Sequence, residues 1–256
     1  MDKKSTVFKV LFRICGSVGI YIVGYLLAVS VLTLIPVTAA WHPMYLNAIG
    51  MLFAAIVMAF TIQKQEIALS PGHKPLLKIA AVVILAYCSS ALFNILLGLV
   101  PWDSIFGSKV TPEEAAFYGI PLIARMVCYE IVAPVAEELL FRQVIYIRLR
   151  RFAPAWIAVV VSALLFGIYH GNLVQGIYAF IMGCLLALVY EWTRSLAAPI
   201  LFHMIANHLS DIAYEFEAVS KVVYSPPAAC VSAIVIPCML VVLVKNKNKC
   251  SKNALK

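Results

Sequence analysis

Three short stretches carry residues able to do acid–base chemistry, and all three lie within strongly apolar sequence. The first is Glu137-Glu138 with Arg142 in EELLFR, the second is FGIYH ending at His170, and the third is HMIAN, from His203 to Asn207, followed by His208. On a helix, Glu138 and Arg142 stand four residues apart and share a face, so they can pair, while Glu137 points about 100° away and can face something else. One carboxylate is anchored and its neighbour is available. Simple ion pairing of both carboxylates within a bundle is the structural alternative. His203 and Asn207 also share a face, whereas His208 points elsewhere as a structural or surface residue. Glu130 lies seven residues before Glu137 on the same face, where it lines the same cavity or holds a local polar contact. A charge placed in lipid costs about 2.5 to 3.5 kcal/mol on insertion scales, so ionisable groups there signal function.

The elements that must position these groups are membrane helices. The chain has 256 residues, 63% hydrophobic and 12% charged, well below the roughly 25% charged of a soluble domain. Its mean hydropathy of +0.95 agrees. The expected fold class is all-α: a polytopic integral membrane helical bundle, multi-pass in the cell membrane, forming a single domain over 1–256. A net charge of +8 does not indicate nucleic acid, because the positive residues sit between and beyond apolar segments, where they meet lipid headgroups. The seven cysteines contain no CxxC, and most lie inside apolar runs, so neither a disulfide framework nor a cysteine metal site is expected. The N-terminal apolar stretch lacks a convincing cleavage site and is read as a retained first helix.

At about 20 apolar residues per span, eight transmembrane helices are expected, at 10–34, 44–62, 76–100, 118–147, 155–169, 174–190, 196–214 and 228–244. The boundary between the fifth and sixth, at 170–173, is the least defined. With both termini cytoplasmic, the inner side collects Lys3, Lys4, Lys9, Arg13, Lys64, Lys74, Lys78, Arg148, Arg150, Arg151, Arg194 and the tail lysines, and the outer side only Lys109 and Lys221. Arg125 and Arg142 are then the arginines within a membrane segment. Spans four and five form a hairpin turning near Phe152, with Glu137 15 residues before the turn and His170 18 after it. At 1.5 Å per residue the two groups lie within about 5 Å of the same depth.

In this order and spacing, EELLFR at 137–142, FGIYH at 166–170 and HMIAN at 203–207 resemble the EExxxR, FxxxH and HxxxN motifs of the CAAX-protease and bacteriocin-processing family of intramembrane proteases. The resemblance covers 131–211, expected to be the catalytic core, and nothing in 1–110 adds to it beyond apolar character. It implies that Glu137, with His170, activates a water for attack on a peptide carbonyl, and that His203 and Asn207 stabilise the oxyanion. Arg142 would hold Glu138 as support, with Phe166 beside them. A carboxylate partly withdrawn from water is a stronger base than one in bulk, and His and Asn suit an oxyanion in a water-poor cavity.

Glu137, His170 and His203 also make a His2Glu set able to hold zinc with an open position for water. The expected partners are membrane lipid and a peptide or lipidated-protein substrate, of CAAX type or related to bacteriocins. The competing readings are a non-catalytic immunity or scaffold protein that sequesters a peptide in the same cavity, and a proton-coupled carrier using Glu and His as a relay.

Overall fold

The computed structural model describes residues 3–62, 75–102 and 119–247. Lys64, Lys74, Asp103, Lys109, Glu113, Glu114 and the tail lysines 249, 252 and 256 lie outside the described residues. Among the described residues the chain is helical, with α1 Lys3–Leu34, α2 Pro43–Ala59, α3 Pro75–Gly98, α4 spanning 122–149, α5 Ala155–Tyr169, α6 Leu173–Thr193, α7 Ala197–Glu215 and α8 Pro226–Lys245. Short helical turns at Pro36–Ala39 and Glu217–Val223 complete it. Val7–Leu34, Pro75–Gly98, Leu173–Thr193 and Pro226–Lys245 are long and apolar enough to cross a membrane. Pro43–Ala59 and Ala155–Tyr169 are shorter apolar helices, while α4 and α7 carry most of the buried ions. Length and composition therefore establish four of the eight expected spans. Large apolar side chains such as Phe12, Val23, Trp156 and Ile234 stay exposed on the outer helices, a surface suited to lipid in a multi-pass membrane protein.

Local chemistry sets several boundaries. Pro43 and Pro226 occupy the first turns of α2 and α8, where the missing N–H has no intrahelical acceptor to lose. The α5–α6 turn needs Gly171 at φ +69°. Directly after it, Asn172 Oδ1 accepts from the backbone N–H groups of Val174 (2.9 Å) and Gln175 (3.2 Å), meeting donors that the helix cannot satisfy itself. That pair of residues settles the boundary at 170–173.

The central element is α4, which touches α1, α2, α5, α6 and α7. It is continuous but not uniformly α: Met126–Val132 and Leu139–Tyr146 are wound as π-helix, on either side of the α segment Ala133–Glu138. Pro134 opens that α segment and cannot donate to the preceding turn, so a wider turn just upstream has a local cause. The two glutamates thus sit between two π segments, and such departures inside α-helices occur mostly at functional sites.

Close approach of α5 and α6 depends on glycine. A Cβ on Gly167 would stand 2.7 Å from the Gly176 carbonyl oxygen, and one on Gly183 would meet Phe166 Cδ1 at 3.1 Å and Ala163 at 3.2 Å. By contrast, Gly19 in α1 has nothing within 4 Å of a built Cβ.

Arg148, placed on the inner side by the sequence, is only 2% exposed. Its Nη1 donates to the Arg13 carbonyl (2.8 Å) and Ser17 Oγ (2.6 Å), and its Nη2 donates to the Thr61 carbonyl (3.1 Å). It therefore ties the end of α4 to α1 and to the residues after α2, because a buried guanidinium must find acceptors for its donors. Lys78, near the start of α3, is likewise buried.

Gly167→Ala should lower the detergent melting temperature by an amount matching about 1–3 kcal/mol of overpacking. Gly19→Ala should be neutral or slightly stabilising, since it adds helix propensity without a clash. Parallel thermal scans of the two variants check the contrast.

Candidate active site

Antiparallel packing of α4 on α7 and of α4 on α5 assembles the site. Along the first pair, Tyr129 meets Asn207, Glu130 meets His208 and Glu138 meets His203. Along the second, Ser162 Oγ donates to the Phe141 carbonyl at 3.0 Å and the Phe141 and Phe166 rings lie 5.0 Å apart. This ladder carries His170 up to the level of the Glu137 turn.

The organising contact is on Glu138, whose side chain is fully buried. Its Oε1 accepts from Arg142 Nη1 at 2.9 Å and from His203 Nδ1 at 3.0 Å. Arg142, equally buried, sends Nη2 to the Gly183 carbonyl at 3.1 Å and rests its guanidinium 4.6 Å from the Phe166 ring centroid. Glu138 Oε2 and Arg142 Nε make no hydrogen bond. The clamp therefore stands on a few contacts: one shared oxygen, one backbone carbonyl on α6 and one aromatic face. Gly183 is what lets α6 come close enough to supply that carbonyl.

Glu137 is left available. It is 8% exposed, and its nearest ionic contact is His203 Nε2 at 3.8 Å, beyond hydrogen-bond length. Because a carboxylate only accepts, His203 must carry a proton on Nδ1, directing Nε2 towards Glu137. His170 obeys the same logic. Its Nδ1 lies 2.8 Å from the Phe166 carbonyl, an acceptor only, so Nδ1 is protonated and neutral His170 presents the lone pair of Nε2. Both imidazoles pack edge-on with Phe166, at centroid distances of 4.8 Å for His170 and 5.7 Å for His203. Phe166 is thus the spacer that sets their separation.

Asn207 Nδ2 donates to the Tyr129 carbonyl at 3.0 Å. This uses one of its two N–H groups and leaves the other for a ligand. His208 is half exposed and its Nδ1 lies 2.7 Å from Glu130 Oε2, so both belong to a separate polar group. Arg125 joins that group nearby, paired to Asp211 at 3.0 Å and Glu215 at 2.6 Å. Asp211 and Glu215 were not singled out from the sequence; their i, i+4 spacing on α7 was the available signal.

Among the described residues no three His, Cys, Asp or Glu side chains converge closely enough to hold an ion. His203 gives Nδ1 to Glu138 and His170 gives Nδ1 to its own helix backbone, which leaves Nε2 of each as the nitrogen that a metal would use.

Sequence reasoning placed nothing from the first hundred residues near the site, yet α1 reaches it. Tyr21, 3% exposed, has the Tyr169 phenol, the Glu137 carboxylate and Tyr25 as its electrostatic neighbours. Tyr169 in turn stacks edge-on with His170 at 5.9 Å and Phe141 at 5.4 Å.

Truncating one partner of a buried ion pair costs about 3–5 kcal/mol. Arg142→Ala should therefore lower thermal stability by that order and abolish activity with it. Glu138→Gln should leave the chain foldable while loosening His203, and comparing the melting temperatures of the two variants checks this ranking.

Residues 119–209 match the family model described as type II CAAX prenyl endopeptidase Rce1-like, which bears out the resemblance carried by the three motifs. The chain is 29% identical over 134 residues to the membrane-embedded CAAX protease MroQ of Staphylococcus aureus (strain USA300), across 48% of this chain and 53% of that protein. It is 30% identical over 89 residues to the putative membrane peptidase YdiL of Bacillus subtilis (strain 168), across 35% of this chain and 36% of that protein. The chain thus spans about half the length of the first relative and about a third of the second. No solved structure matches it.

Proposed function

We propose that this protein is an intramembrane endopeptidase in which Glu137 activates water to hydrolyse a peptide bond of a membrane-associated peptide or lipidated protein tail. The observation that carries the reading is the unequal state of the two adjacent glutamates. Glu138 is consumed by Arg142 and His203, while Glu137 stays within the same enclosure without a hydrogen bond of its own. A purely structural pair of carboxylates would leave no reason to bury the second one unpaired, given what an uncompensated polar group costs inside a bundle.

In this reading a water sits between Glu137 and the scissile carbonyl. Glu137 takes a proton from it as the oxygen–carbon bond forms, and the carbonyl π electrons move onto the oxygen. His170 Nε2 accepts a hydrogen bond from the same water and fixes its lone pair towards the carbon. The free N–H of Asn207 faces the oxyanion. Collapse of the tetrahedral intermediate breaks the carbon–nitrogen bond, and the proton held on Glu137 goes to the leaving amine. His203, fixed through Nδ1, keeps Nε2 beside Glu137, where it can accept from the carboxyl once Glu137 has taken the water's proton; as an oxyanion donor it would first have to take up a second proton.

The substrate class follows the two relatives' printed names, a CAAX protease and a membrane peptidase, together with a site buried inside a lipid-facing bundle. A panel of membrane-anchored peptides incubated with detergent-purified protein tests the reading. Wild type should cleave at least one peptide; Glu137→Gln should lose at least about 10³-fold in kcat, of the order that general-base loss removes, with an unchanged melting temperature. Activity should persist with a chelator present. Full cleavage by Glu137→Gln would overturn the assignment of the base, and loss of cleavage on chelation would replace it with a metal mechanism. A functional protein insensitive to Glu137 would favour peptide sequestration.

A further inference from the structure

The donors expected at the oxyanion are partly spent before substrate arrives. His203 Nδ1 is committed to Glu138, and Asn207 gives one of its two N–H groups to the Tyr129 carbonyl. One buried donor nearby is uncommitted. Tyr21 is 3% exposed, and its phenol oxygen is buried without a hydrogen-bond partner. The Tyr169 phenol is its first polar neighbour, a weak contact that falls short of a well-formed hydrogen bond, and Glu137 and Tyr25 are further electrostatic neighbours. The neighbouring phenol one helical turn along α1 behaves differently: Tyr25 donates to Asn47 Oδ1 at 2.7 Å. A buried, unmet hydroxyl costs about 1–3 kcal/mol, so its retention beside a carboxylate calls for a ligand that satisfies it.

α1 can hold Tyr21 there because it is fastened at both ends of the neighbouring stretch. Ser17, one turn earlier, receives Arg148 Nη1 from α4 at 2.6 Å and shares a hydrogen bond with Thr61 at 2.8 Å. Tyr25, one turn later, is fastened to α2 through Asn47. The phenol between these two anchors is therefore preorganised, as a donor to developing charge needs to be.

We propose that Tyr21 is a further site residue whose O–H donates to the carbonyl oxygen of the scissile peptide bond as it becomes an oxyanion beside Glu137. No proton leaves the phenol in this step. The water proton still goes to Glu137, and Tyr21 contributes a hydrogen bond that strengthens as negative charge builds. A donor fits the carbonyl better than the attacking water, since the water already finds acceptors in Glu137 and His170 Nε2.

This inference rests on the endopeptidase reading, so the experiment includes Glu137→Gln. Wild type, Tyr21→Phe, Tyr25→Phe and Glu137→Gln are compared as full chains in detergent on the cleaved membrane-anchored peptide, with kcat, KM and melting temperature read for each. Tyr21→Phe should lower kcat about 10²-fold, the usual effect of removing one oxyanion donor, with KM within about threefold. Its melting temperature should be unchanged or raised, because deleting an unsatisfied buried hydroxyl costs the fold nothing. Tyr25→Phe should show the reverse pattern, losing stability with the Asn47 bond and keeping kcat within about threefold. Wild-type kcat in Tyr21→Phe, beside an inactive Glu137→Gln, would overturn this inference alone. A fall in melting temperature that accounts for the lost activity would overturn it in favour of a packing role. Cleavage that survives in Glu137→Gln would remove the base and this inference with it.

Discussion

Burying charge where water is scarce is the constraint on which the rest of this structure depends. A carboxylate and a guanidinium inside a helical bundle lose their hydration, and their mutual attraction offsets that loss only if the geometry is good and the remaining donors and acceptors are met. The Glu138–Arg142 pair approaches these conditions, with Glu138 Oε2 and Arg142 Nε left unbonded, by drawing on three other helices: His203 from α7, the Gly183 carbonyl from α6 and the Phe166 face from α5. Each of these contacts also positions something else. Fixing His203 Nδ1 turns Nε2 to Glu137; bringing Gly183 close seats α6 against α5; placing Phe166 under Arg142 sets where His170 stands. The pair is thus both a fold constraint and the mould of the site.

The same physics recurs away from the site. Arg148 finds acceptors on α1 and after α2, and Arg125 finds Asp211 and Glu215 on α7. Glu191 on α6 is held by Arg150, Arg194 and the Tyr146 hydroxyl. Most of these contacts cross between helices, so buried ions specify which helices neighbour one another in a protein whose apolar surfaces are otherwise similar. Hydrophobic burial discriminates poorly between helix partners in lipid, whereas a guanidinium accepts few arrangements.

Much of this was legible in the chain because it is local. The length of each apolar run marks its helix, so the expected 155–169 coincides with Ala155–Tyr169 and the expected 174–190 falls within Leu173–Thr193. The Glu138–Arg142 pair follows from i, i+4 spacing alone. What escaped is tertiary. The burial of Arg148 escaped because counting positive residues along the chain gives orientation but not burial. The Glu138–His203 contact joins residues 65 apart, and nothing in either motif tells which of two adjacent glutamates the histidine will choose. The π segments around Glu137 leave little mark in sequence beyond Pro134. Tyr21 escaped because a phenol in an apolar helix reads as an amphipathic packing residue, and only its partner helices show what surrounds the hydroxyl.

The central claim is that Glu137 acts on water and does not itself attack the peptide. Single-turnover cleavage in H2(18)O, with mass spectrometry of both the released peptide and the protein, separates the two routes. Direct activation of water puts one heavy oxygen into the new peptide carboxylate in the first turnover and leaves Glu137 unlabelled. Heavy oxygen in the Glu137 side chain, with an unlabelled first product, would mean an acyl-enzyme formed on that carboxylate and would contradict the claim.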